Sequence, residues 1–126
     1  MTVLETGIVT YLKAQSVAGG RIYPVKIPQT PTAYPLITYQ RISTVADYTH
    51  SGKSNIEAVR IQFRVWHEEY GDAKEAAEDL KDVLEAYSGS MGAVDVGVAL
   101  KANEIDLPDP ESGLHSVIID MIIRRQ

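Results

Sequence analysis

The sequence contains no cysteine, and this one absence removes disulfides, thiolate metal sites and cysteine nucleophiles together. Stability must then come from packing and association, in a composition that suits a reducing compartment. Long hydrophobic runs are missing as well. Nothing approaches the roughly 20 apolar residues that span a bilayer, so no membrane partner is expected. Basic residues are in the minority: 12 Lys and Arg against 17 Asp and Glu leave a net charge of -5. Nucleic acid held through phosphate neutralisation needs a clustered basic surface, so specific DNA binding is not expected, while passive contact with DNA stays open. The opening Met1-Thr2-Val3-Leu4-Glu5 has no basic region leading into an apolar stretch, and a chain that stays in the cytoplasm where it is made is the expectation. Internal repeats and low-complexity tracts are also lacking, which leaves solenoid and linker readings without support.

What remains is ordinary for a soluble globular chain: 126 residues, 44% hydrophobic and 23% charged, consistent with one domain over residues 1–126. Thr2 and Glu5 stand at capping-box spacing. Leu4, Ile8, Tyr11 and Leu12 then recur at helical spacing and predict a first helix that ends at Gly19-Gly20. Pro24, Pro28, Pro31 and Pro35 predict an irregular extended connection over residues 21–35. The β-branched and aromatic residues from Tyr34 to Asp47 predict a strand. A second strand, Glu57 to His67, has the cleanest alternation, with Val59, Ile61, Phe63 and Val65 on one face. The polar stretch Asp47–Asn55 between them reads as the projecting tip of a long β-hairpin. Asp72 and Glu75 then predict the start of a second helix, whose Ala73, Ala76, Ala77, Leu80, Val83, Leu84 and Tyr87 form its inner stripe. Residues 94–107 and 114–125 predict two further strands. The expected fold is α+β, in the order α-β-β-α-β-β, with two helices packed on one face of a mainly antiparallel sheet.

The residues that bear chemistry do not assemble into a recognisable site. Gly52-Lys53-Ser54 has the end of a phosphate-binding loop, but the first motif glycine would fall at position 47, which is Asp. His50, His67 and His115 have no second ligand at metalloprotease spacing and read as polar groups at strand ends. Asp106, Asp109 and Glu111 are interleaved with Pro108 and Pro110 and lack the ligand ladder of a calcium loop, so a solvated turn is the reading. No nucleophile elbow or dinucleotide fingerprint is present. The expectation is a protein without catalytic residues, metal or cofactor.

Contact surfaces are the better candidates. In the last strand Val117, Ile119, Met121 and Ile123 share one face, while Ile118 and Ile122 lie on the other with Arg124, so both faces carry apolar surface. Arg60, Gln62, Arg64 and Trp66 line the second face of the earlier strand, and Arg and Trp are enriched where surfaces bury against partners. The plain alternative is a solvated sheet face. Tyr48, His50 and Lys53 at the hairpin tip complete the candidate subunit or tube contacts.

Several blocks in their order and spacing resemble the tail-completion, or tail-terminator, proteins of long-tailed bacteriophages, the head-tail joining type. These are Gly19-Gly20-Arg21-Ile22-Tyr23-Pro24, then Ile27-Pro28-Gln29, then Tyr34-Pro35-Leu36-Ile37-Thr38-Tyr39-Gln40-Arg41-Ile42-Ser43. Arg60-Ile61-Gln62-Phe63-Arg64-Val65-Trp66, followed by Tyr70, Ala73 and an Ala-rich helix, extends the likeness over most of residues 4–88. The resemblance implies a structural virion protein of the tail neck, a homohexameric ring stacked on the last ring of tail-tube protein. Such a ring stops tube polymerisation, meets the head connector or head-completion protein, and lets DNA pass through its lumen without specific binding. Two alternatives stay open: another adaptor ring of the neck, or a small monomeric cytoplasmic enzyme or binding module.

Overall fold

Alternation along residues 59–65 and 117–123 organises the molecule, because these two adjacent strands each offer an unbroken row of large apolar side chains to the same side. The computed structural model describes residues 4–24, 34–49, 52–85, 89–91, 94–109 and 113–125. Helix α1 spans Leu4–Ala14 and is followed by a 3-10 turn, Val17–Gly20. Next come β1 (Ile22–Pro24), β2 (Leu36–Thr49), β3 (Gly52–His67), α2 (Tyr70–Leu84), β4 (Gly89–Met91), β5 (Val94–Asp109) and β6 (Leu114–Arg125). The strands form one sheet in the order β1-β2-β3-β6-β5-β4. β1 runs parallel to β2, and every other neighbouring pair is antiparallel. The fold is therefore α+β with a mostly antiparallel sheet, as the periodicities predict.

The core lies between the helices and one sheet face. Val59, Ile61, Phe63 and Val65 of β3, and Val117, Ile119, Met121 and Ile123 of β6, are all fully buried. They pack against Leu4, Ile8 and Leu12 of α1 and against Ala73, Ala76, Ala77, Leu80 and Leu84 of α2. Alanines on the first half of α2 let its backbone approach the sheet closely, and the Tyr11 hydroxyl donates to the Val83 carbonyl at 3.0 Å to tie the two helices together.

Several local expectations shift. The proline-rich connection contains a short strand, β1, whose Ile22 side chain enters the core. Prolines there do not prevent pairing, because an edge strand can dispense with some of its donors. Helix α1 ends at Ala14, before Gly19-Gly20, and Ser16, Ala18, Gly19 and Gly20 then turn the chain through left-handed backbone. Thr2 lies outside the described residues. Its supposed capping partner Glu5 instead pairs with the Arg41 guanidinium on β2. Helix α2 begins two residues earlier than Asp72, at Tyr70, after an extended Glu69 that makes no side-chain cap. Asp72 sits in the first turn, where a carboxylate favours the helix dipole. Tyr87 lies outside the described residues. The expected hairpin tip is largely strand: Tyr48 pairs with Lys53 and Thr49 with Gly52.

Candidate assembly surface

The helices leave the opposite sheet face open, and strand register sets out its rows. Leu36, Trp66, Ser116 and Leu107 lie side by side across β2, β3, β6 and β5. Thr38, Arg64, Ile118 and Ile105 form the next row, then Gln40, Gln62, Asp120 and Asn103, then Ser43, Arg60, Ile122 and Leu100. Arg124 follows, exposed, between Ala58 and Val98. Beyond Leu36 and Trp66, the β2 and β3 side of the face is polar and bears the arginines, while the β5 and β6 side carries Leu107, Ile105, Ile118, Ile122 and Leu100, interrupted by Ser116 and by the Asn103–Asp120 row.

One end of this face is closed by its own side chains. Trp66 is 8% exposed and packs with Leu36 and Leu114 beneath Tyr23 and Tyr34. Its indole Nε1 donates to Thr38 Oγ1 at 3.0 Å, so the polar edge of the ring is satisfied inside the cluster. The Arg64 guanidinium lies 3.9 Å from the Trp66 ring centroid, and Arg64 Nε donates to Ser116 Oγ at 2.9 Å. Ser116 in turn donates to the Leu107 carbonyl. Arg64 and Trp66 are therefore one tethered unit that presents the guanidinium outward.

The middle of the face is held by an ion pair. Arg60 donates to Asp120 Oδ2 at 2.7 Å, and Asp120 is 8% exposed. Its other carboxylate oxygen is buried and has no partner among the described residues. A half-satisfied buried carboxylate depends on its cation, so Arg60 is fixed in place above β6.

Exposed apolar residues gather toward the sheet edges. Leu100 (49%), Ile105 (47%) and Leu107 (42%) of β5, and Ile42 (48%) of β2, are large hydrophobics open to solvent. Sequence alternation missed all four, and bulges explain the miss. The register shifts between Arg41 and Ser43, between Val96 and Val98, and between Lys101 and Asn103. Each slip moves the side chains beyond it to the opposite face. The weak signal was β5 itself, where apolar residues change parity between Val96 and Ala99.

Of the other sequence candidates, Tyr48 and Lys53 are backbone pairing partners near the hairpin turn, and His50 lies outside the described residues. Ile118 and Ile122 are half-buried between the Arg64 and Arg60 rows and the exposed β5 residues.

A second set of charged groups lies on the other side of the sheet, where it fastens α2 to β5. Lys81 Nζ donates to Glu104 at 2.8 Å and to Glu78 at 2.6 Å. Lys74 reaches Asp106 at 3.0 Å and Glu104 at 3.5 Å, and the Tyr70 hydroxyl donates to Asp106 at 2.6 Å. The hydrogen bond from Lys81 holds the Glu104 carboxyl below its ordinary range, and those from Tyr70 and then Lys74 do the same for Asp106. Asp106 is thus committed to a structural tie, and Glu111 lies outside the described residues. Among the described residues no group of three or more His, Asp or Glu side chains could hold a metal ion. His67 borders a shallow notch of about 210 Å³ with Asp72, Glu75 and Asp79, and its Nδ1 accepts the Glu69 N–H at 3.1 Å. Gly52-Lys53-Ser54 opens strand β3, outside the strand–loop–helix setting of a phosphate-binding loop. No helix among the described residues is long and apolar enough to cross a membrane.

Comparison with known proteins gives three findings. A family model described as tail completion protein gp17 matches residues 7–125. A chain from the virion of a native gene transfer agent particle is similar in structure, with a TM-score of 0.74 at 13% identity, over 97% of this chain and 93% of that one. At that identity the likeness is one of fold. No curated protein sequence matches the chain.

Proposed function

The chain belongs to the tail completion protein gp17 family, and from that premise we propose that it is a structural, non-enzymatic component of a phage-type tail. In this reading, copies close into a ring of six at the head-proximal end of the tail tube, end its polymerisation and offer a surface to the head connector. The observation that carries the reading is the family match across nearly the whole fold. The sheet left half-covered agrees with it: Ile105 and Leu107 beside Ile118, and Leu100 beside Ile122 across the Asn103–Asp120 row, leave apolar surface of the kind that marks protein contact. A chain of the same fold within a gene transfer agent virion is in keeping with such a place.

A closed ring needs a heterologous interface, in which one patch meets a different patch on the neighbour. The two unlike halves of the open face, together with the long β2–β3 and β5–β6 hairpins, provide unlike patches. A net charge of -5 also suits a channel that passes DNA, because an acidic lining does not retain phosphates. Light scattering on the purified protein, with negative-stain images of the same peak and of purified tail tubes after mixing, tests the proposal. A closed ring, or density capping one end of each tube, is the expected result. A monomer that leaves tube ends bare overturns it.

A further inference from the structure

We propose that the ring closes through its sheets: the outer edge of β2 in one copy pairs antiparallel with the outer edge of β5 in the next. The inference rests on the ring reading above and names the joint that would close it. In the sheet, β2 and β5 each stand one strand from the side, flanked among the described residues by the three-residue strands β1 and β4. β1 pairs with Ile37–Tyr39 and β4 with Val94–Val96. Beyond those short pairings, β2 from Gln40 and β5 from Val98 have no outer strand among the described residues. Such edges offer unpaired N–H and C=O groups to another chain unless they are shielded.

Four observations favour a second copy as the occupant. First, Ile42, Leu100, Ile105 and Leu107 are four of the five exposed large hydrophobics among the described residues, and all four lie on these two strands. Second, the open stretches coincide in height. Through the register Gln40 shares a row with Asn103, and Val45 shares one with Val98. Rotation about an axis along the strands therefore brings one free edge directly against the other. Third, three antiparallel steps separate β2 from β5, so the same rotation presents them antiparallel, the more stable pairing.

Fourth, charge disfavours the symmetric alternative. Two β5 edges paired about Ile105 would set Glu104 against Asp106 of the mate, and like charges directly opposite destabilise a sheet. Between Leu36 and Ala46, β2 carries Arg41 as its only charged residue. The bulges at Ile42 and Gly97 confine uninterrupted pairing to Ser43–Val45 against Val98–Leu100. A joint that short draws much of its strength from the apolar side chains beside it.

The absence of cysteine makes the joint directly readable. Ser43→Cys is combined in turn with Leu100→Cys, Asn103→Cys and Ile105→Cys, four exposed positions on the open face, and each double variant is oxidised mildly in the full-length protein. Circular dichroism confirms that each variant folds, and light scattering confirms its mass. The expected result is a ladder of covalent multimers from at least one double variant, carrying most of the protein, with no ladder from any single variant. Dimers from Ile105→Cys alone would show the symmetric β5 contact and overturn the proposal. A ring that assembles while no double variant cross-links also overturns it, leaves the ring reading intact, and points to a segment of another virion protein on these edges. A monomer at every concentration that neither cross-links nor caps tail tubes removes both.

Discussion

The two faces of the sheet draw on the same strands and differ in what covers them. On β6, Val117, Ile119, Met121 and Ile123 point toward the helices and are fully buried, while Ile118 and Ile122, between them, are only half-buried. On β3 the inward residues are uniformly apolar, whereas Arg60, Gln62 and Arg64 alternate outward. The helix-covered face is finished within one chain. The open face is tied together where Trp66 and its neighbours close over it and where Arg60 pairs with Asp120, and toward β5 it keeps exposed apolar side chains. In the proposed assembly, stability and association fall to opposite sides of a single sheet, and substitutions on the two sides should have separable effects.

The largest effect is expected at Phe63, fully buried at the centre of the covered face. Phe63→Ala should lower unfolding stability by about 3–5 kcal/mol, the usual result of emptying a core aromatic site, and urea unfolding of the monomer measures it. Ile105→Lys tests the other side. Its side chain is 47% exposed, so the same urea curve should move by no more than about 0.5 kcal/mol, while assembly followed by light scattering is lost. Equal destabilisation by the two variants would erase the distinction between the faces. Between these extremes lies Trp66→Phe, which keeps most of the ring but removes the hydrogen bond to Thr38 and weakens the stacking of Arg64. A loss of about 1–2 kcal/mol in monomer stability is expected from one buried bond and one cation–π contact. A smaller accompanying loss of assembly would show that the open face needs this cluster to hold Arg64 outward.

The covered face was legible from sequence because it obeys one period without interruption. β3 and the α2 stripe give the core directly: a pleat fixes every second residue, and a helix every third or fourth. The open edges were hidden for the same reason in reverse. Bulges at Ile42, Gly97 and Ala102 break the period, so Leu100, Ile105 and Leu107 cannot be assigned to a face without the pairing partner. β1 was hidden by prolines that read as loop, although Ile22 is a core residue. The start of α2 was misjudged because Asp72 and Glu75 are equally at home at a cap and in a first turn. None of the α2–β5 ties could be read in advance, since Lys74, Lys81, Glu104 and Asp106 meet only once the sheet order is known.

Those ties give the smallest expected effect, and it depends on pH. Glu104 is 17% exposed at its side chain and contacts Lys81, Lys74 and Lys101. Chiefly through the Lys81 hydrogen bond, its pKa in the folded chain lies below the ordinary 4.5. The unfolded chain therefore takes up the proton first as pH falls, and protonation favours unfolding. The contribution of Glu104 is complete above its unfolded pKa and is lost as pH drops through the lower, folded value. Thermal unfolding of the wild type should accordingly lose ground below pH 4.5 more steeply than that of Glu104→Gln, and the two curves should converge in acid. Because Asp106 shifts in the same direction, the variant should keep part of the slope, and adding Asp106→Asn should flatten it further. Ring assembly at neutral pH should be untouched by Glu104→Gln, because Glu104 faces α2 and not the open side. If that variant lost its ring while its unfolding curve stayed normal, the helix-covered side of β5 would also belong to the interface, and the separation between the two faces would fail.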